Sequence, residues 1–476
     1  MDLNLLKILI DSDKERKLTA WMLYYFWQND VENIRTYLES YATKGGMFTT
    51  DTVKLLPKTH RDITNKVLNN VCTSYVWGVD RYLVDKDGKP DEKQTELLND
   101  LYKKAGITDA QRDWYKAGKL FNCVEVKVVW RNVTNRAEFD LWTPNFFSVW
   151  ENAENKYLKD AIIFDITKKD ELGNDIEALE FWNKDEHFYM VEEGTFKDGD
   201  KMLPIMVKKD LDGNNPDGKN KYKIIPSECL RFKRGEDYFG IGMIDLVEDN
   251  IWSDIMRSNK TYVVIFQGMG IVYGVNIGKR GEVAITPNQM LLVEAKEGQE
   301  PPFIESVATN APISEMREDL EKNDTDILTS KGLSGQTASG DNTNAPALSK
   351  ALDLEERDIN ARDDKNVLVD FEERLFKVFR TVHNLNGVDK ISEDLTFKIN
   401  VYDKKPTYNV NDLIAKWRFE LEIGAKNAVD YVIEQSPETT QEEAEKAVLQ
   451  NLGEKQDNSD NNQDINLDNN LDETED

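Results

Sequence analysis

Apolar residues recur at helical spacing through the first hundred positions. AWMLYYFWQNDVENIRTYLESY sets Trp21, Tyr24, Tyr25 and Trp27 ahead of Ile34 and Leu38, which predicts an amphipathic helical stretch. HRDITNKVLNNVCTSYVWGV repeats the signal, with Ile63, Val67, Val71 and Tyr75 four apart. Asp85 to Pro90 reads as a turn, because Gly88 and the acids around it are out of register for a calcium loop. Helices are expected near 96–105 and after Asp109. The period then drops to two. FNCVEVKVVWRN alternates Val124, Val126 and Val128 against Glu125 and Lys127, and AEFDLWTP, FFSVWEN, DAIIFDIT, ALEFWN, HFYMVEE and YKIIPSE read as further strands between Gly/Asn/Asp turns. Residues 120–230 are therefore expected to form a β-rich meander.

Helical spacing returns after Gly240. Ile244, Val247, Ile251 and Ile255 form a broad apolar face, and the following stretch 261–278 carries no charge. Its four glycines, Gln267 and Asn276 argue against a membrane span and for burial against neighbouring copies. VAITP, MLLVEA and FIESV read as short strands. A helix is expected from about Ser314, then a Gly/Ser/Thr/Asn loop at 331–346, then an unbroken helix from Leu348 to about His383. The apolar face of that long helix is Val367, Phe371, Leu375, Val378 and Val382. TFKINVY closes the pattern as a strand, and helical segments follow it. The fold class is thus α+β.

Composition narrows what such a chain does. Its 476 residues carry 61 Lys+Arg against 89 Asp+Glu, a formal charge of −28. The last twenty residues hold eight acids, six asparagines and no basic residue, so they cannot bury a core. No basic cluster replaces phosphate counterions, so contact with nucleic acid is expected to be loose. The three cysteines and three histidines are scattered, without the spacing of a disulfide framework or a zinc module. The N-terminal order of acids before bases does not fit a secretory signal, and a cytosolic, reduced protein is expected.

Catalytic signals are lacking. GxxxxGK[ST], HExxH and GxSxG do not occur, and Gly240-Ile-Gly242 reads as a tight turn. The acidic pairs Glu355-Glu356 and Asp363-Asp364 are read as solvated helix surface. No enzyme, cofactor or metal site is expected. The competing readings are a metal-dependent DNA-processing enzyme such as a nuclease, and a membrane-inserting pore built on 261–278.

The order of elements carries a resemblance. YFGIGMIDLVEDNIWSDIMRSNK, KGLSGQTASGDNTNAPALSKALDLEERD and ELEIGAKNAVDYVIEQSPETTQEEAEKAVLQN follow one another as in the portal (head–tail connector) proteins of tailed phages, which the chain resembles from about Gly235 to Leu452. The resemblance implies a ring, usually of twelve subunits, at one capsid vertex in the virion, assembled in the host cytoplasm. Double-stranded DNA would enter and leave through it without sequence specificity. The implied layout is a wing at 1–235, a stem helix at 236–270, a clip at 271–310, a second stem helix at 311–330, a tunnel loop at 331–346, further wing at 347–408, a crown-like helical region at 409–455 and an acidic tail at 456–476. The implied partners are the chain itself, the major capsid protein, the terminase large subunit and a head–tail adaptor, with no membrane. Lys331, Ser334, Gly335, Thr337, Ser339, Asn342, Asn344 and Lys350 would lie at the DNA channel. Ile251, Ile255, Val264, Phe266 and Ile271 would meet neighbouring copies.

Overall fold

The computed structural model describes residues 13–44, 48–169, 175–198, 201–211, 215, 217–269, 271–275, 303–307, 312–333, 347–402 and isolated positions between 418 and 449. The chain divides into two compact units, Met1–Asp403 and Lys404–Asp476.

The first unit opens with helices α1 (Lys14–Gln28) and α2 (Val31–Lys44). The sequence pattern reads as one continuous stretch, but Asn29 takes the left-handed conformation (φ 53°) and caps α1, so the chain turns there. α3 (Thr50–Leu55) and α4 (Ile63–Val71) follow, each started by a side-chain cap, Thr49 and Asp62. Strand β1 (Val79–Val84), which the pattern did not reveal, leads to α5 (Glu92–Lys104) and α6 (Ile107–Phe121).

Two antiparallel sheets come next. β2 (Cys123–Arg131) lies between β3 (Arg136–Trp142) and β9 (Ser227–Arg231). β4 (Phe147–Glu151), β5 (Lys159–Lys169), β6 (Asp175–Asn183), β7 (His187–Asp198) and β8 (Lys201–Lys209) pair in chain order as a meander. β8 was not foreseen. It contains Pro204, which a ladder tolerates here because β8 is the edge strand. YKIIPSE corrects an expectation: positions 221–226 are turns, with Lys223 at φ 57°, and only Ser227 onward is strand.

α7 (Ile244–Met269) leads to β10 (Ile271–Val275), which pairs antiparallel with β11 (Phe303–Val307). The described part of the uncharged 261–278 run is therefore divided between a helix end and a strand. Among the described residues, no helix is long and apolar enough to cross a membrane. α8 (Ile313–Ser330) packs on α7, and α9 (Ala347–Asn386) is a single 40-residue helix. β12 (Thr396–Val401) returns to pair antiparallel with β1. VAITP, MLLVEA and the 334–346 loop lie outside the described residues.

The main core forms where α9 crosses α6, the β2–β3–β9 sheet and β12. Leu368, Phe371, Leu375, Phe379 and Val382 are buried against Trp114, Tyr102, Val126 and Phe397. Phe379 stacks on Phe139 (ring centroids 5.3 Å apart), and Phe376 stacks on Phe397 (4.8 Å). Glu372 of α9 is buried in this apolar mass, where Arg81 of β1 grips it through Nε (2.6 Å) and Nη2 (2.9 Å) while Tyr75 donates to it (2.7 Å). Asp364, expected on a solvated face, is also buried, accepting from Tyr115 Oη and Lys119 Nζ, each at 2.7 Å. Charges inside the fold thus come with partners in place, as burial requires.

In the second unit, Asn427 and Asp430 exchange side-chain-to-backbone bonds of 2.8 and 2.9 Å, which caps a helical turn through Tyr431. Ala444 is buried within a further helical stretch. Most of the remaining 409–455 region and the acidic tail lie outside the described residues.

Candidate functional site

α7 changes character along its length. In its first half, Leu246, Val247, Ile251 and Ile255 are buried in the chain's own core, yet Asn250, Ser253, Asp254 and Ser258 are buried beside them. The spacing of these polar residues, three or four apart, places a polar stripe within an apolar helix.

The stripe receives the segment 59–64 that runs into α4. Asn250 Oδ1 accepts from the backbone of Ile63 (3.2 Å), the backbone of Thr64 (3.0 Å) and the Thr64 hydroxyl (3.0 Å), and its Nδ2 donates to the Arg61 carbonyl (3.0 Å). One amide thus serves the otherwise unpaired first turn of α4. Asp254 accepts from the Arg61 backbone (2.9 Å) and meets His60 Nδ1 (2.6 Å), while His60 Nε2 meets Asn29 Oδ1 (3.0 Å). Burial raises the Asp254 pKa above the ordinary carboxylate value, and the His60 bond only partly offsets this. Ser258 Oγ accepts from the Thr59 backbone at 2.9 Å.

The same junction fastens α8 to α7. Asp324 of α8, buried, accepts from Ser253 Oγ (2.6 Å), Arg257 Nη2 (2.8 Å) and Arg61 Nη1. A lone buried carboxylate between two guanidinium groups locks three segments of chain at one point. At the helix foot, Lys331 pairs with Asp245 in the first turn of α7. Partial burial pushes the Asp245 carboxyl up, but the Lys331 bond and charge with the helix-terminal amides bring it below its ordinary value. Ahead of that turn, Gly240 adopts φ 63° and closes on Asn122, whose Nδ2 a Cβ at Gly240 would meet at 2.4 Å. The GxG is thus a close-packed turn.

Away from the bonds of this junction, α7 exposes apolar side chains, Met256 alongside it and Val264 and Ile265 beyond it. Met256, Val264 and Ile265 are 39%, 41% and 45% exposed. Polar fastening at one end gives way to apolar surface toward the other.

This placement corrects several expectations. Ile251 and Ile255 do not face a neighbouring copy: at 0% and 4% exposure they are covered by the chain's own fold. Lys331 is not a solvated lysine, because its side chain is mostly buried and pairs with Asp245. Val264 does lie at the surface. Phe266 falls on α7 and Ile271 on β10, and Lys350 falls on α9, but their side chains lie outside the described residues. Ser334, Gly335, Thr337, Ser339, Asn342 and Asn344 lie outside them altogether. Sequence reading missed the junction residues Arg61, Asn250, Asp254 and Asp324. The signal that would have found the α7 members is the polar stripe at 250, 253, 254, 257 and 258.

Among the described residues, no group of three His, Cys, Asp or Glu side chains is arranged to hold a metal ion. Cys123 and Cys229, 106 positions apart, meet at 3.0 Å Sγ to Sγ as buried free thiols, a juxtaposition their scatter in sequence conceals.

No family model matches the chain, and no curated protein does. Remote likenesses to solved structures include two from gene transfer agent particles. A chain from the virion of a native gene transfer agent particle shares 10% identity over 78% of this chain and 89% of its own, with a TM-score of 0.38. A chain from the neck of an empty gene transfer agent particle, computed with sixfold symmetry, has the same identity and coverage and a TM-score of 0.41. Both scores are below 0.5, and neither decides the role of this chain.

Proposed function

We propose that the chain is a subunit of a portal-type ring, a head–tail connector at a capsid vertex through which double-stranded DNA is packaged and ejected. The observation that carries this reading is the asymmetry of α7. Its first half is locked into the subunit by the Asp254 and Asp324 junction, whereas Met256, Val264 and Ile265 leave apolar surface uncovered. A second copy that covers these side chains recovers about 1 kcal/mol from each, and a ring repeats the gain at every interface.

The portal resemblance in sequence supports the same reading. In it, α7 and α8 form the stem, β10 and β11 belong to the clip that meets the terminase and later the adaptor, and the 331–346 loop lies near the DNA. A formal charge of −28 suits a passage that must not grip phosphate, since like charge keeps the duplex from adhering. The role is mechanical and needs no bond-making chemistry.

Negative-stain imaging with mass measurement of the purified full chain tests the reading. Closed rings with a central hole are expected. A monodisperse monomer under assembly conditions refutes it, and divalent-dependent DNA cleavage would replace it with the nuclease reading.

A further inference from the structure

The β3–β2–β9 sheet and the five-stranded meander face each other across a seam that is closed at one end and open at the other. At the closed end, Phe147, Ile162, Phe164 and Tyr238 fill the space. At the open end the sheets part around a cleft of about 950 Å³, within the range of small-molecule sites.

Register explains who faces it. Lys127 lies opposite Asp140 and Glu125 opposite Trp142, so these alternate residues of β2 and β3 share the face turned toward the second sheet. On that sheet, Glu180 lies opposite Tyr189 and Trp182 opposite His187.

The floor of the cleft is built and charge-neutral. Glu180, almost fully buried, pairs with Lys127 and accepts from Trp182 Nε1 at 2.8 Å, with His187 Nε2 at 3.2 Å. The His187 ring stacks on Trp182, centroids 3.5 Å apart. The walls carry flat surface: Trp142 and Tyr222 line the cleft and are only partly buried. Trp142 Nε1 is a buried donor with no acceptor among the described residues, a condition rare enough in folded proteins to need a reason.

The rim is cationic. Outside the Lys127–Glu180 pair of the floor, four basic side chains line the cleft against two acidic ones, with Arg131 pairing with Asp140 (2.6 Å) and Lys219 standing 3.7 Å from Asp217, on a molecule whose overall charge is strongly negative. Lys219 and Lys221 sit on a loop anchored by Asn215 Nδ2 to the His187 carbonyl (2.9 Å) and by Asn220 Nδ2 to the Asn183 carbonyl (2.6 Å). The lysines are thus held at the mouth by a fixed loop.

An excess of cations selects an anion, and the indole and phenol faces select one that also carries a flat ring. We propose that this cleft binds a nucleotide, its base against Trp142 and Tyr222 and its phosphate toward Lys219 and Lys221. A bare phosphate would leave the aromatic walls unused, and a neutral sugar would leave the rim charge unused. The nucleotide can be free or the end of a single strand, since both present the same ring and phosphate. The inference does not depend on ring formation.

The test is titration of the full chain with deoxyguanosine 5′-monophosphate, read by tryptophan fluorescence and calorimetry. Saturable binding with Kd on the order of 100 µM is expected. Trp142→Ala should weaken it about tenfold or more, as loss of a base-stacking surface does. The double variant Lys219→Ala/Lys221→Ala alters only exposed side chains and should also weaken it, with far-UV circular dichroism confirming the fold. Deoxyguanosine without phosphate should bind at least tenfold more weakly. A short single-stranded oligonucleotide that outcompetes the mononucleotide identifies a strand end as the source, and the reverse identifies the free nucleotide. No saturation by about 5 mM, equal binding of inorganic phosphate, or unchanged affinity in both variants overturns the proposal. Saturation by an acidic tyrosine-bearing peptide with no response to the nucleotide overturns it in favour of a protein partner.

Discussion

The two halves of α7 are built on opposite principles. The first half buries polar groups and satisfies each with a named partner: Asn250 with α4, Asp254 with His60 and the Arg61 backbone, Ser253 with Asp324 of α8. The second half carries apolar side chains and leaves Val264 and Ile265 nearly half exposed. Polar groups fix a unique geometry because each bond has a direction, whereas apolar surface gains from any cover that excludes water. The difference teaches that one helix serves two interfaces. Its specific bonds belong to the subunit, and its non-directional surface is what remains for another molecule.

Mutation can break that contrast, and the expected effects on the subunit's own stability fall in a clear order. Asp324→Ala strands the Arg61 and Arg257 guanidinium groups that now converge on one carboxylate. Arg61 is nearly half exposed and water can take up its charge, so the cost is up to about 3 kcal/mol; a clear drop in the denaturant midpoint is expected, and an unchanged midpoint would show that the junction does not hold the helices.

Asn250→Ala leaves the first-turn amides of α4 without their acceptor. A loss of about 2 kcal/mol is expected, and hydrogen exchange should locate the change at 63–65.

Lys331 and Asp245 give a smaller effect with a defined sign. The Asp245 carboxyl titrates below its ordinary value near 3.8 in the folded chain. Its contribution is therefore complete above that value and is lost as pH falls through the lowered one. Lys331 is mostly buried but the Asp245 side chain is about two-thirds exposed, so water screens the pair and it is worth about 0.5 kcal/mol. Thermal melts of Asp245→Asn should lie slightly below the wild type near neutrality and converge with it toward pH 3.

Val264→Asp sharpens the comparison from the other side. On a surface position it should leave subunit stability within about 0.5 kcal/mol. Yet it places a charge where a second copy would have to desolvate it, so rings should be lost while the melting temperature barely moves. Intact rings would refute the proposed contact.

Much of the architecture was legible in the sequence. The alternation of Val124, Val126 and Val128 marked β2, and the spacing of Phe371, Leu375, Val378 and Val382 marked the buried face of α9, because a single periodicity tells which side of an element meets the core. The less regular signals failed for identifiable reasons. The break at Asn29 depends on a left-handed residue inside a continuous apolar pattern, β8 carries a proline that only an edge position permits, and Ile224 and Ile225 look like strand although they pass through a turn. Asp364 looked solvated because helical spacing cannot foresee that Tyr115 and Lys119, some 250 positions away, converge on it.

What the sequence determined by itself was the sign of the charge, the element types and the apolar faces, since each depends on residues close together in the chain. Tertiary structure alone decided which copy of the chain shelters Ile251 and Ile255, which cation holds Asp324, and where the cationic, aromatic cleft opens. Those outcomes depend on groups brought together from distant segments, and burial makes them matter, because a charge removed from water must find its partner wherever the fold has put it.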